Sequence, residues 1–552
     1  MVSPMYTVYV GTFIQLPATS SPHEEHQLAI TRGALWVSSA DGKIKGFDWS
    51  IASESDLQTL LKRHGWVVDG RGSRTSVGVK LVRAREEENE FFFPGFIDTH
   101  IHAPQYPNTG LFGSSTLLSW LQTYTFPIEA SFASPASMPS LPPPTAYRAY
   151  SQVISRTLSH GTTTASYFAT IHVPATNLLA SLAHKRGQRA LIGRVCMDDP
   201  ATCPPSLIDT STATCLRDTE AVIQHIDSLS HPSSSEGAPK LIQPIITPRF
   251  APSCRPTTLS ALAALAAQHN PPLHIQTHIS ENVHECALVK QQFPDANSYA
   301  DVYDRAGLLT PRTILAHAVH LSADETRLIA ARRARVSHCP TSNSALGSGI
   351  CPVRRLRRAG VVIGLGSDVS GGYSVSLLEG VRSACLVSRL VGFLRGQHHD
   401  KVEVVEAEAD QDKKQTDGKR DENDDVVSVE EALYLATRGG AAVLDMAELI
   451  GGFDRGMAWD AQLIRLGAFQ PAALWGPASP VSPVDVFGAE SWTEKVHKWV
   501  WSGDDRNVRA VWVQGRLVHG VEVDDPRWSA RWNWVWGLVG LGAAWVVVRR
   551  MR

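Results

Sequence analysis

The sequence predicts an α/β protein: a (β/α)8 TIM-type barrel carrying a small composite β-sandwich domain drawn from the N- and C-terminal segments. Three observations predict it. From Pro94 onward, short apolar runs such as LIQPIITPRF, LHIQTHIS, TILAHAVH, ARVSHCP and VVIGLGSDVS are each followed by a longer helix-compatible stretch, the alternation expected of βα units around a parallel sheet. Polar or ionisable residues stand at or just after the C-terminal ends of these runs, where such a barrel places its chemistry. Before Phe93 and after Gly451 the texture is that of short β segments broken by Gly, Asp and Ser, as in TVYVGTF, GALWVSSADGKIKGFDWS, DAQLIRLGAF and VRAVWVQGRLVHG.

These textures divide the chain into 1–93, the first part of the β domain; 94–450, the barrel; 451–525, the second part of the β domain; and 526–552, a hydrophobic tail. Within the barrel region, 396–425 (GQHHDKVEVVEAEADQDKKQTDGKRDENDD) loses its apolar period and becomes a mixed-charge, low-complexity run. It reads as a disordered surface insertion in preference to an acidic binding tail. Helical pattern resumes at SVEEALYLATRGGAAVL. No internal repeat is evident.

The tail from Trp532 to Val548 (WNWVWGLVGLGAAWVVV) is nearly uncharged and is followed by Arg549, Arg550 and Arg552. Its strictly apolar part, Val535 to Val548, falls short of the roughly 20 residues that span a bilayer. Three readings stay open: a short anchor or membrane-surface segment giving weak membrane association, a helix packed on the protein or on another subunit, and an extension without a role.

A chain of 552 residues accommodates one large enzyme domain plus a smaller one. A formal net charge of -2 leaves no basic surplus to neutralise a phosphate backbone, so no nucleic-acid partner is expected. The 8 cysteines are scattered without regular spacing, which fits a reduced, intracellular and cytoplasmic protein. The opening MVSPMYTVYVGTF lacks the charged and apolar regions of a secretion signal.

The strongest chemical signal is PGFIDTHIHAPQ, where His100 and His102 stand two apart at the end of an apolar run. On a strand, residues i and i+2 face one side, so both imidazoles reach a common ion. LHIQTHISEN ends a strand at His278 and brings Glu281 three residues later; TILAHAVH supplies His317; VVIGLGSDVSGGYS supplies Asp368. Taken singly, each has a plain reading as a satisfied loop histidine, a helix-capping acid or a turn aspartate before Gly371 and Gly372. Taken together, histidines and an aspartate at successive strand ends allow a mononuclear metal site with a position left open for water. A zinc site of the H-x-E with P-C-x-x-C kind is absent, and Cys339 beside His338 reads as a small buried residue.

Longer motifs go further. Through PGFIDTHIHAPQYPNTG, WLQTYTFPIEA, HGTTTASYFATIH, PIITPRF, HIQTHISEN, HCPTSNSALGSG, GLGSDVSGGYS and SGDDRNV, the chain resembles the guanine deaminases of the amidohydrolase superfamily, over about 93–390 and again over about 429–518. The resemblance implies a hydrolase of purine catabolism acting on the C–N bond of a cyclic amidine, with guanine and water as reactants and one Zn2+ per subunit held by His100, His102, His278 and Asp368. The metal would bring the pKa of a bound water from 15.7 towards roughly 7. Glu281 would take a proton from that water and deliver it to a ring nitrogen, Asp368 would help position the hydroxide, and attack at C2 would give xanthine and ammonia. His317 would polarise or steady the water without ligating the metal.

For the substrate, the resemblance implies contacts from His102, Gln105, Arg249, Phe250, His278 and Asp368. Gln105 offers both donor and acceptor, and Arg249 a fixed fork of donors suited to O6 and N7, although a structural ion pair at a strand end also explains Arg249. Phe250 would stack on the ring. Asn343 either supports the site or caps a turn, and Trp120 and Phe126 either line the pocket or fill core. A homodimer is common in this family. The family's chains end near VQGRLVHG, so the hydrophobic tail departs from it. Competing readings are a sister amidohydrolase acting on an adenosine-like, cytosine or triazine compound, and a barrel scaffold without turnover.

Overall fold

The computed structural model describes residues 5–18, 26–68, 77–229, 240–406, 425–468 and 482–520. Before the barrel come β1 (Tyr6–Gln15), β2 (Ala29–Ser38), β3 (Ile44–Asp48), β4 (Trp66–Val68), β5 (Val77–Arg83) and β6 (Glu90–Pro94). The barrel strands follow: β7 (Phe96–His102), β8 (Thr162–Phe168), β9 (Arg189–Gly193), the two-residue β10 (Val195–Cys196), β11 (Ile242–Pro248), β12 (His274–Ile279), β13 (Thr313–His317), β14 (Arg335–His338) and β15 (Ile363–Leu365). Last come β16 (Ala461–Arg465), β17 (Val508–Val513) and β18 (Arg516–Gly520).

β7, β8, β9, β11, β12, β13, β14 and β15 run parallel in that spatial order, with β10 beside β11. Every residue of β7 and of β8 is buried. Near-continuous burial is what a parallel sheet covered by helices on one side and packed on itself on the other requires. The circle closes where the chain after β15 meets β7: Asp368 N–H donates to His100 C=O at 2.8 Å, and His102 N–H donates to Val369 C=O at 3.0 Å. Ring closure and the site are therefore made by the same residues.

The remaining strands form one mixed sheet ordered β18-β17-β16-β6-β1-β2-β3, with β5 also pairing β1 and β4 pairing β5. Both ends of the chain contribute, as the texture predicts: β16 lies antiparallel to β6, with Leu463 opposite Phe92. Tyr9 and Phe13, four apart and thus on one face of β1, meet aromatics from the other end of the chain. The Tyr9 and Trp459 rings are 4.3 Å apart, and Tyr9 and Trp512 lie edge to face at 5.4 Å. A buried ion pair fastens this domain to the barrel: Arg189 of β9 donates through Nε and Nη2 to Asp460 at 3.0 and 3.2 Å, and Gln514 N–H donates to the same carboxylate at 2.7 Å.

One expectation needs correction. The helix Leu377–Glu406 runs on into 396–425, so the first part of the mixed-charge insertion is helical. Lys401, Glu403 and Glu406 favour helix, which continues past Gly396 and Asp400 although the apolar period has been lost. The rest of the insertion, 407–424, and the hydrophobic tail lie outside the described residues. Among the described residues, no helix is long and apolar enough to cross a membrane, and all 8 cysteines are free.

Candidate active site

At the C-terminal ends of the barrel strands, β7 delivers His100 and His102, β12 delivers His278, β13 ends at His317, and the turn after β15 delivers Asp368. His102 Nε2 lies 3.2 Å from His100 Nε2 and 3.1 Å from His278 Nε2. Asp368 Oδ1 lies 3.2 Å from His100 Nε2 and 3.4 Å from His102 Nε2. One ligand atom from each of these four residues falls within 4.8 Å of all the others. Nitrogen lone pairs packed this closely repel unless a cation joins them, so the donor set fits a metal ion.

Protonation states agree with that fit. Burial lowers the pKa of His100, and it lowers those of His102 and His278 well below the ordinary histidine value, so all three are neutral imidazoles, the form that ligates. His278 Nδ1 donates to the Arg249 carbonyl at 2.5 Å, which fixes the tautomer and turns the Nε2 lone pair towards the cluster. Burial works against ionised Asp368, but His100, His317 and His102 hold its carboxyl below the usual range.

Glu281 and His317 stand beside the cluster. His317 Nε2 lies 3.3 Å from Glu281 Oε2 and 3.7 Å from Asp368 Oδ2. Its Nδ1 donates to Asn343 Oδ1 at 2.9 Å, so Asn343 supports the site and does not merely cap a turn. Burial, joined by the Asp368 and Glu285 carboxylates, pushes Glu281 up to about 7 against the opposing pull of His317. Burial alone would lower His317, yet Glu281 and Asp368 raise it. A carboxyl that titrates near neutrality next to a candidate metal site suits proton transfer in both directions.

A small cavity opens over this floor. Its lining brings together His102, Gln105, Arg249, Phe250, His278, Glu281, His317 and Asp368, every residue the sequence assigns to catalysis or substrate, while His100, assigned to the metal alone, lies beneath the floor with 1% exposure. Trp120 lines the cavity and donates its indole N–H to the Leu111 carbonyl at 3.2 Å. Phe126 lies instead behind the wall, its ring 5.3 Å from the Arg249 guanidinium. Cys339 is within 4.8 Å of ligand atoms of His100 and His317, but burial raises its pKa well above the ordinary thiol value, and it stays a neutral packed group.

Several participants are absent from the sequence-level set. Glu285 lines the cavity and accepts from the backbone N–H groups of Glu281 and Asn282 at 2.8 and 3.2 Å, while Tyr299 donates to its other oxygen at 2.7 Å. Its signal was available: Asn282 and Glu285 form a capping box at the start of the helix Val283–Gln292. Ser348 donates to Glu281 Oε1 at 3.2 Å. Asp98 accepts from Ser367 N–H and Oγ at 2.9 and 2.5 Å and braces the turn that carries Asp368. Glu129 joins Gln105 and Arg249.

Barrel, strand-end histidines and late aspartate define a class, and the chain belongs to the amidohydrolase family, whose model matches residues 91–518. Particular relatives narrow it. The chain is 43% identical over 434 residues to the probable guanine deaminase of Schizosaccharomyces pombe, covering 79% of this chain and 72% of that one. It is 37% identical over 520 residues to the guanine deaminase of Mus musculus, covering 93% and 97%. Among solved structures it superposes on the guanine deaminase of C. acetobutylicum with bound guanine, with TM-score 0.70 at 28% identity, covering 93% of this chain and 100% of the other.

Proposed function

We propose that the chain is a guanine deaminase that hydrolyses guanine to xanthine and ammonia, using one Zn2+ held by His100, His102, His278 and Asp368. The observation that carries the reading is the convergence of three imidazole nitrogens and a carboxylate oxygen within 4.8 Å beneath a cavity walled by Gln105 and Arg249. When bound, zinc supplies the acidity that makes water nucleophilic at neutral pH.

The chain's own groups do the rest. Arg249 and Gln105 hold the purine edge, Phe250 covers its face, and Leu117 and Leu121 help exclude bulk water. Asp368 orients the attacking water, and Glu281 Oε2 accepts its proton. His317, set by Asn343, steadies the attacking oxygen and the Glu281 carboxylate. Glu281 passes the proton to a ring nitrogen as the C2–O bond forms. Glu281 then carries the remaining hydroxyl proton to the amino group, the C2–N bond breaks as C2=O forms, and ammonia and xanthine are left.

Purified protein of measured metal content, incubated with guanine, tests this by ammonia release and xanthine absorbance. Turnover that disappears on chelation and returns with zinc is expected. A metal-loaded protein that leaves guanine intact while deaminating another amino-heterocycle would replace the substrate assignment. Recovery with another divalent ion but not with zinc would replace the metal assignment.

The same reading includes a homodimeric, cytoplasmic enzyme divided into 1–93, 94–450 and 451–525, whose tail, 526–552, gives weak membrane association. Light scattering and fractionation of fusions with and without the residues after Arg531 check these points. Identical soluble behaviour of the two fusions would remove the membrane role.

A further inference from the structure

Glu129 sits in the short helix Phe126–Ala130, 1% exposed, against Gln105 at 1% and Arg249 at 2%. Its Oε2 accepts from Arg249 Nη1 at 2.7 Å. Its Oε1 accepts from Arg249 Nη2 at 3.2 Å and from Gln105 Nε2 at 2.8 Å. Both residues assigned to the purine edge are thus tied to one buried carboxylate, and the two lie side by side because they share an oxygen.

We propose that Glu129 fixes the hydrogen-bonding polarity of this wall, leaving Gln105 to face the ring only as an acceptor and Arg249 only as a donor. The wall then selects an –NH–C(=O)– edge over an –N=C(NH2)– edge. This rests on the reading of the site as one for guanine.

The argument is chemical. A side-chain amide is ambivalent, since its two ends differ only in which atom is nitrogen. A carboxylate paired with a guanidinium has only lone pairs to offer, so Gln105 must turn its NH2 towards Glu129. Its carbonyl Oε1 is then left buried without a hydrogen-bond partner in a residue that lines the cavity. Such an atom is an acceptor kept for a ligand N–H, because an unmatched buried acceptor is costly. Arg249 carries donors only. It is restrained on its remaining sides by the Phe126 ring at 5.3 Å and by Met197 Sδ, 3.8 Å from Nη1. An acceptor next to donors complements the N1–H and O6 edge of guanine.

2,6-Diaminopurine separates the possibilities. It has the size of guanine and the same 2-amino leaving group, but presents a lone pair at N1 and N–H groups at position 6. Against this wall, acceptor meets acceptor and donor meets donor. A site built to hydrogen-bond a group rejects the mismatched analogue strongly, so guanine should exceed 2,6-diaminopurine in kcat/KM by at least about 100-fold in the wild type.

The experiment measures kcat and KM for both purines, by ammonia release, in the metal-loaded wild type, Glu129→Gln and Glu129→Asp. Glu129→Gln offers both a donor and an acceptor and frees Gln105 to turn; it should lower guanine kcat/KM and collapse the ratio to about tenfold or less. Glu129→Asp keeps only lone pairs and should preserve the ratio while activity falls. A merely structural Glu129 would lower activity in both variants and leave the ratio unchanged, and that result overturns the proposal. Should Glu129→Gln not fold, the wild type and Gln105→Met decide: equal use of both purines by the wild type, or an unaltered ratio in Gln105→Met, also overturns it. A wild type that uses both purines equally defeats this inference and leaves the deaminase reading standing; one that uses neither defeats the deaminase reading and this inference with it.

Discussion

Glu281→Gln tests the proton-transfer role proposed for Glu281. Glu281 is 4% exposed. Glutamine fills the same volume, and its amide oxygen can still accept from Ser348, which now donates to Glu281 Oε1 at 3.2 Å. The backbone N–H of residue 281 keeps its bond to Glu285 Oε2, 2.8 Å in the parent. What disappears is the proton-accepting oxygen that faces His317 Nε2 at 3.3 Å. Because burial already pushes this carboxyl up to about 7, exchanging it for a neutral amide removes a penalised charge and should not weaken the fold. General acid–base groups contribute roughly 10² to 10⁴ in rate, so kcat should fall by that factor, equivalent to about 2.7–5.4 kcal/mol of barrier. Gln105 and Arg249 are untouched, so KM for guanine should stay within about threefold. Steady-state ammonia release at neutral pH, with metal per chain measured on the same preparation, reads both quantities. A kcat within about tenfold of wild type at unchanged metal content refutes the role, and a variant that loses its metal would make Glu281 part of the ligand set.

Arg249→Lys cannot make two bonds to Glu129 and should lower kcat/KM for guanine by about 100-fold, mainly through KM; an effect below about threefold would remove Arg249 from the purine edge. Asp460→Ala strands the buried Arg189 guanidinium and should cost about 3–5 kcal/mol in urea denaturation, whereas a loss below about 1 kcal/mol would mean the pair does not fasten the two sheets. His274 gives a pH dependence: burial, helped by Arg312, lowers its pKa from 6.5 to about 3 in the folded protein. The unfolded chain therefore binds a proton that the native state refuses, and stability falls as pH drops from about 6.5 towards 3, by about 2 kcal/mol at pH 5 from this residue. His274→Gln should flatten the fall in urea midpoint over that range, and an equally steep profile would contradict the assignment.

How far the sequence discloses such a site depends on whether its signals are local. His100 and His102 share a strand face, and His278 with Glu281 shares a strand end and the turn after it, so their spacings jointly propose a metal site, while the role of each comes from the resemblance. The β texture at both chain ends is local too, and it anticipates the antiparallel pairing of β6 with β16. Glu129 is different. Its partners lie 24 and 120 residues away, and in TFPIEA it looks like any acid in the first turn of a helix, so only the folded barrel makes it a clamp. The helical start of the insertion was hidden for the opposite reason: composition registers the loss of an apolar face before it registers the end of a helix.

Backbone conformation adds a feature that residue type alone could not disclose. Ser280, His317, Ala318 and Asp368 all adopt left-handed backbone, with φ of 49°, 77°, 53° and 47°. Each such residue costs of order 1–3 kcal/mol when it is not glycine, and such strain persists only where surrounding contacts over-determine it. For Asp368 those contacts can be named. Its N–H donates to His100 C=O at 2.8 Å, and Ser367 beside it is held by Asp98 through two hydrogen bonds of 2.9 and 2.5 Å. Gly366 permits the approach, because a Cβ there would fall 2.6 Å from Ser337 Oγ and 2.8 Å from His100 Cβ. Glycine or asparagine would relieve the strain at position 368 but could not supply a carboxylate oxygen 3.2 Å from His100 Nε2. The fold thus holds an unfavourable backbone at Asp368, where the favourable residues lack the chemistry, and Asp98, buried beside the turn, is the group whose removal should release it.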